Sequence, residues 1–436
     1  MVSLLLLQAL LITGLASAQV KTPEIVLDPK VQKIDEEGAG KLYQVGDHKV
    51  LIMEGTPREM GYQHGRLLST AVHHVITQGY MAKRLWDRGY TREYVLQQSA
   101  RMEKFFPPEY VEELHGMVEG LKAAGVTDLE YDDVKLGVTQ AEILHFDPNE
   151  APQCSNFAVW GKWTPDGRLL HARNLDWDIS GGAQEDAVIM IWRPKGGTPF
   201  MMVGWAGGIG SVSGMNAKGI TLGEMTLPSP DATFDGMPLV LLMRRVLEKS
   251  SNLDDAVAIL RDTPRTSGWN FVVGDAKAPD ARALETDAVR CAVYAPMDEK
   301  EGDATGHWAM EDAVRRTNHP VGEEQLMKLA ELVGPEMGIT ITELNLALPL
   351  LKVHNTYLRY DWLGKQIQAQ PAKMDVQECM NLLVNGPVRT DVTLHSWVFD
   401  PNNALAYVSI AGKNPIVTAC DMPYTRIDLK EWMAAE

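Results

Sequence analysis

The apolar residues of this chain change period at Cys154, and that change limits what it can fold into. Before it, Met60, Leu67, Leu68, Ala71, Val72, Val75 and Ile76 recur at helical spacing behind Pro57, a residue suited to a first helical turn. Further helices are predicted over 92–105, from Glu109 to a stop at Ala124-Gly125, and over 132–143. After Cys154 the pattern turns to short β-rich runs at 188–192, 200–203, 220–222, 270–273 and 288–294, closing with 393–399 and 404–409. Helices are predicted between them at 239–249, 253–261, 322–333, 341–350 and 376–384. Runs of strands, then helices, then strands predict a layered α+β body rather than alternating βαβ units.

The junction itself carries the chemistry. The stretch Asp147-Pro148-Asn149-Glu150-Ala151-Pro152 predicts an exposed, non-helical loop. Gln153-Cys154 then enters a strand, a Thr164-Pro165-Asp166-Gly167 turn follows, and a second strand carries Arg173 and Asp176 back. If Pro165-Asp166 form the turn, Cys154 is expected opposite Trp177 and Arg173 opposite Ala158, with Arg173 on the face of the thiol. Asp176 shares that face only if the strand ends or bulges near Leu175.

A cysteine placed between an exposed loop and a buried strand suggests a self-cleaving N-terminal nucleophile. Its thiol would attack the Gln153 carbonyl, and the freed α-amine would then serve as its base. Arg173 would hold the thiolate and Asp176 the ammonium. Asn216, in Ser213-Gly214-Met215-Asn216-Ala217-Lys218-Gly219, and Asn318, in Arg316-Thr317-Asn318-His319-Pro320, are the candidate oxyanion donors, with Asn270 a third. The plainer reading of the same residues is a buried strand cysteine, a local ion pair and turn asparagines.

Charge and cysteine content narrow the alternatives. A net charge of −17 repels phosphate backbones and anionic membranes, which argues against nucleic acid as a partner. Residues 1–18 read as an export signal, with an apolar Leu4-to-Leu15 run and Ala16-Ser17-Ala18 before the cut. The chain is therefore expected to be periplasmic or secreted, without a stable membrane anchor. Four cysteines, none in a CxxC pair, make neither a disulfide framework nor a structural zinc site. No cofactor and no metal is expected; His73-His74 lacks an H-E-x-x-H partner. Gly204 to Gly214 matches no phosphate-binding loop, and Ser211 and Ser213 miss the nucleophile-elbow spacing. Met201, Met202, Trp205 and Met215 are candidates to line an apolar acyl pocket.

With these segments on the page, the chain resembles the autoproteolytic acyltransferase/hydrolase family that includes isopenicillin-N acyltransferase. More distantly it is similar to choloylglycine hydrolases, penicillin V acylases and acid ceramidase. The resemblance rests on Cys154 to Gly161, Asp166 to Trp177, Pro57 to Gly65, Glu113 to Gly120, Gly214 to Gly219, Asn270 to Asp275, Thr317 to His319 and Ser396 to Pro401. It implies a four-layer αββα N-terminal-nucleophile fold over 154–436, with a mainly helical segment at 19–153 that is cleaved off yet stays bound. It implies hydrolysis or transfer of the acyl group of a small amide through a thioester on Cys154. Cys154 matches the nucleophile, Arg173 and Asp176 the groups beside it, and Asn216 and Asn318 the oxyanion side chains. Gln153 departs from the small residue common before such cysteines.

Two other classes stay open on sequence alone. A conventional triad hydrolase would need His171, His319 or His395 beside Cys154. An exported binding protein on the same scaffold would need no chemistry at all.

Overall fold

Phe157 and Val159 pack to one side of the strand that begins at the junction, and Cys154 and Ala158 to the other, so both faces of this strand are covered. The computed structural model describes residues 20–145, 153–302, 306–334 and 344–434; the expected export signal and the loop 147–152 lie outside them.

The N-terminal part holds the expected helices and, ahead of them, four strands not predicted from the sequence. It opens with strands β1 (Ile25–Val26), β2 (Val31–Glu37), β3 (Gly40–Val45) and β4 (His48–Gly55). In β3 Leu42 and Val45 are buried between exposed or half-buried Lys41, Tyr43 and Gln44, which blurs the alternation, whereas Val50, Leu51, Ile52 and Met53 of β4 are buried on both faces. Gly46, at φ 55°, makes the left-handed turn between β3 and β4.

Six helices follow: α1 (Pro57–Leu67), α2 (Ser69–Thr77), α3 (Tyr80–Leu85), α4 (Arg92–Glu103), α5 (Pro108–Ala123) and α6 (Tyr131–His145). Thr56 caps α1 in a reciprocal box with Glu59. Helices α1 and α5 cross backbone to backbone. A Cβ on Gly61 would fall 1.8 Å from the Glu113 carbonyl oxygen, and one on Gly120 2.1 Å from that of Tyr62. This crossing is what the glycines of Pro57 to Gly65 and Glu113 to Gly120 are for.

From the junction run β5 (Gln153–Val159), β6 (Leu170–Asp176), β7 (Ala187–Pro194), β8 (Phe200–Trp205), β9 (Ser213–Asn216) and β10 (Ile220–Thr226). Helices α7 (Leu239–Lys249) and α8 (Leu253–Asp262) lead to β11 (Trp269–Asp275), β12 (Asp280–Thr286), β13 (Cys291–Tyr294) and β14 (Ala313–Arg316). Then come α9 (Glu323–Val333), α10 (Leu344–Lys352), α11 (Asn355–Gln368) and α12 (Val376–Leu383). The chain closes with β15 (Thr393–Asp400), β16 (Leu405–Ile410), the short pair β17 (Gly412–Lys413) and β18 (Ile416–Val417), and β19 (Tyr424–Asp428).

Two sheets stack face to face. One has seven strands in the order β1-β19-β16-β15-β6-β5-β14, the other ten in the order β13-β12-β11-β10-β9-β8-β7-β4-β3-β2. Helices α11 and α12 cover the outer face of the first sheet, where Leu363, Ile367, Cys379 and Leu383 meet Phe157, Val159 and Ala172. Helices α7, α8 and the crossed α1 and α5 lie on the second. The result is a four-layer αββα arrangement, the one the resemblance implies.

The residues before the junction are woven into both sheets. Strand β4 pairs in parallel with β7, and β1 in parallel with β19. Between α5 and α7, Arg244 donates to Glu113 at 2.6 Å, Trp192 donates to the same carboxylate at 2.9 Å, and Tyr110 donates to Glu248 at 2.7 Å, all buried.

Candidate active site

The β5–β6 hairpin sets the register, and it differs from the expected one by two residues. Cys154 stands opposite Leu175 and Arg173 opposite Asn156. The cause is the connection: residues 160–169 form a wide double turn, with Gly161 and Gly167 at φ 54° and 78°, instead of a two-residue loop. A shift of two preserves sidedness, so Arg173 still faces the thiol.

Arg173 spans the gap between the sheets. From β6 it donates through Nε to the Glu224 carbonyl at 2.8 Å, through Nη1 to Ser213 Oγ at 2.6 Å, and through Nη2 to Glu224 Oε1 at 2.8 Å. The same Nη2 lies 3.4 Å from Cys154 Sγ. Gly223 makes room for this: a Cβ there would sit 2.3 Å from Asn156 Nδ2 and 3.0 Å from Arg173 Cδ. Burial pushes the Cys154 thiol up to about 12 against the pull of Arg173, so it is held as a neutral thiol. Burial likewise pushes Glu224 up to about 7, opposed by the Arg173 charge.

Asp176 is the last residue of β6, opposite Gln153, and the bulge sits in the neighbouring strand β15, between Thr393 and His395. Thr393 donates to Asp176 Oδ1 at 2.6 Å, while Oδ2 is buried without a hydrogen-bond partner. Burial pushes its carboxyl up to about 6, with Arg359 pulling the other way.

The two oxyanion candidates part company. Asn318 lies two residues past β14, whose Arg316 pairs with Asn156, and so comes level with Cys154. Its Oδ1 accepts the Cys154 backbone N–H at 2.7 Å and Arg359 Nη2 at 3.0 Å, and its Nδ2 donates to the Thr226 carbonyl at 2.9 Å. Asn318 therefore holds the amide nitrogen of the Gln153–Cys154 bond, with one Nδ2 hydrogen left over.

Asn216 is not at the site, which corrects its assignment as an oxyanion donor. Its Nδ2 donates to the Leu247 and Ser250 carbonyls at the end of α7, and its Oδ1 accepts from Lys218 and Ile220. All four of its hydrogen-bonding positions are spent on closing a turn. Asn270 is a tether: its Nδ2 donates to the Thr317 and His319 carbonyls on either side of Asn318.

Arg359 is the residue the sequence reading missed. It reaches from α11, in the outer helical layer, to donate to the Cys154 carbonyl and to Ser155 Oγ at 2.9 Å. Burial lowers its pKa, with Asp176 and Cys154 acting in the opposite sense. The available signal was an arginine among Tyr357, Leu358, Tyr360 and Trp362, a setting that keeps a charge only if it is paired.

The candidate triad histidines are engaged elsewhere. His171 bonds Asn156 and Thr221, His319 bonds His307 and Thr356, and His395 stacks on Trp205 with neither ring nitrogen hydrogen-bonded. The four cysteines are unpaired, and among the described residues no cluster of His, Cys, Asp or Glu could hold a metal ion.

Beside Glu224 and Thr226 opens a cavity walled by Tyr80, Trp177, Trp205, Trp269 and the inner face of α6. Of the residues expected to line an acyl pocket, Trp205 lines this cavity, whereas Met201, Met202 and Met215 are fully buried core. His64, from α1, accepts the Gly207 N–H at 3.0 Å and so pins the turn bearing Gly208 and Gly210 of the cavity wall.

Residues 163–330 match the family model described as acyl-coenzyme A:6-aminopenicillanic acid acyl-transferase, a span that holds Arg173, Asp176, Glu224 and Asn318. An uncharacterized protein of Archaeoglobus fulgidus is 27% identical over 60% of this chain and 48% of its own length. The acyl-coenzyme A:6-aminopenicillanic-acid-acyltransferase 40 kDa form of Emericella nidulans is 24% identical over 51% of this chain and 59% of its own. The chain thus spans about half the length of the curated relatives it matches. A Caenorhabditis elegans N-acylethanolamine-hydrolyzing acid amidase ortholog aligns at 16% identity and a TM-score of 0.40, covering 57% of this chain and 93% of that one. Residues 163–330 are thus similar to the acyl-coenzyme A:6-aminopenicillanic acid acyl-transferase family, and the chain is similar at 24% identity to an acyltransferase of that description.

Proposed function

We propose that the chain cuts itself between Gln153 and Cys154 and then hydrolyses or transfers the acyl group of small amides through a thioester on Cys154. The observation that carries this reading is the grip on one residue. Cys154 has its amide N–H on Asn318, its carbonyl on Arg359 and its thiol on Arg173.

In the first step the thiol attacks the Gln153 carbonyl; a C–S bond forms, the C–N bond breaks, and its nitrogen leaves as the Cys154 α-amine. Water then hydrolyses the thioester, releasing the Gln153 carboxylate and restoring the thiol. The buried Asp176 Oδ2, without a partner in the uncut chain, is suited to receive the new ammonium. In turnover the α-amine takes the thiol proton, the thiolate attacks the substrate carbonyl, and the proton departs with the leaving amine. Water or a second amine completes the cycle. The aromatic cavity beside Glu224 suits the acyl group.

The N-terminal segment stays bound after the cut in this reading, because β4 and β1 are built into the two sheets. Export is part of the proposal, supported by the apolar Leu4-to-Leu15 run and Ala16-Ser17-Ala18, and is tested by locating the mature chain. Mass spectrometry of the purified protein tests processing: a fragment beginning at Cys154 is expected, and an uncut chain that hydrolyses amides would overturn it. A panel of N-acyl amino acids, penicillins, N-acyl homoserine lactones and bile-salt amides identifies the substrate.

A further inference from the structure

The cavity is apolar in its walls yet carries polar groups that nothing in the protein satisfies. Trp269 Nε1 is buried without an acceptor. Gln140 spends its Nε2 on Tyr80 Oη at 3.1 Å and leaves Oε1 unmet. Glu224 gives Oε1 to Arg173 and leaves Oε2 unmet. Trp269, Gln140 and Glu224 are 5%, 5% and 3% exposed, and all three line the cavity.

Buried polar groups are almost always paired, so a set left open along one cavity calls for a partner that arrives with the ligand. The partners needed are of both kinds: the indole N–H needs an acceptor and the amide oxygen needs a donor. A hydroxyl supplies both, and a plain hydrocarbon chain supplies neither. The rings of Tyr80, Trp177 and Trp205 fit the apolar body of the same group.

We propose that this site takes a hydroxylated acyl group, an apolar ring or chain bearing at least one hydroxyl that enters the cavity between α6 and Trp269. The proposal rests on the cavity being the acyl site of the amide hydrolase, and its test is a binding measurement that needs no turnover. Free acids in matched pairs, phenylacetate with 4-hydroxyphenylacetate, 4-phenylbutanoate with its para-hydroxy analogue, and decanoate with 10-hydroxydecanoate, are titrated calorimetrically into the full chain. At least one hydroxylated acid is expected to bind about tenfold more tightly than its plain partner, because a site built to bond a hydroxyl discriminates against the analogue lacking it.

That advantage is expected to fall below about threefold in Trp269→Phe or in Gln140→Leu, each of which removes one polar group and keeps the apolar shape. Equal or tighter binding of the plain acid in every pair overturns the proposal. So does an advantage that survives in both variants, or a failure of all six acids to bind at millimolar concentration. An absence of amide turnover with the hydroxyl preference intact would instead count against the hydrolase reading alone.

Discussion

Asn318 and Cys154 stand level across the gap where β14 ends, joined by a 2.7 Å hydrogen bond from the Cys154 N–H to the Asn318 side-chain oxygen. In the proposed cleavage this fixes the nitrogen that would leave. Asn318→Ala is expected to slow conversion of precursor to fragments by on the order of 100-fold, by analogy with removal of one well-placed polar group from a reacting centre. Asn216→Ala should do the opposite: with four buried hydrogen bonds gone it loses about 2–4 kcal/mol of stability, yet its folded fraction processes normally. Precursor half-time by mass spectrometry and melting temperature, measured on both, separate the two roles. Normal processing in Asn318→Ala would remove it from the chemistry.

Arg359 anchors its Nε on Asn355 Oδ1 and aims its two terminal nitrogens at three atoms around Cys154, the Cys154 carbonyl, Ser155 Oγ and Asn318 Oδ1. A lysine offers one compact ammonium and cannot reproduce that fork. Arg359→Lys and Arg359→Gln are therefore both expected to accumulate precursor, slowed about 100-fold. Restoration of processing by lysine would show that charge alone suffices.

What was legible in the sequence, and what was not, divides along physical lines. Cys154, Arg173 and Asp176 sit within one hairpin, where period and turn chemistry speak directly to geometry. Even the wrong register kept Arg173 on the right face, because the error was even. Asn318 was found from a short motif, but its orientation was not, since an amide can present either end. Asn216 failed because a glycine-flanked asparagine at a strand end reads alike as a donor or as a turn, and its four bonds lie with residues up to 34 positions away. Arg359 is 205 residues from Cys154 and on a helix with no predicted partner, so only the tertiary fold brings it in. The strands at 25–55 escaped for two reasons: β4 is a short continuous apolar run whose period does not distinguish strand from helix, and β2 offers little pattern at all. Strand β2 is almost wholly exposed at an edge and carries little alternation to detect.

Asp176 and Glu224 make the uncut chain sensitive to pH in a definite direction. Burial raises both carboxyls, to about 6 and about 7, so the folded state holds their protons more tightly than the unfolded chain does. Their contribution is full below about pH 4 and is lost as pH rises through those values. Two to three units amount to roughly 3 kcal/mol for each group. Neighbouring His171 and His395, both lowered to about 3 by burial, act in the opposite sense but are common to the proteins compared. In a Cys154→Ala background, Asp176→Asn should flatten the fall in melting temperature between pH 4 and 7 by a few degrees. An unchanged fall would mean that Asp176 is ionised and solvated in the folded chain.

If the proposed cut occurs, its two fragments should separate more readily when one specific buried pair is broken. Glu113 belongs to α5, before the cut, and Arg244 to α7, after it, and their 2.6 Å bond is nearly free of solvent. Removing one member of such a pair leaves the other charge buried and uncompensated, at a cost of about 3–5 kcal/mol. Trp192 loses its acceptor at the same time. Processed wild-type protein is expected to elute as one particle holding both fragments, since β4 remains paired with β7 along six residue pairs. Glu113→Ala should still be cut, because Glu113 makes no hydrogen bond to Cys154, Arg173, Asn318 or Arg359. Its fragments should then part at a lower urea concentration than those of the wild type. Glu113→Gln, which keeps the acceptor for Trp192 and loses only the charge, should fall between the two. Size-exclusion chromatography across a urea series reads all three proteins, and coincident midpoints would show that the sheet pairing alone holds the fragments together.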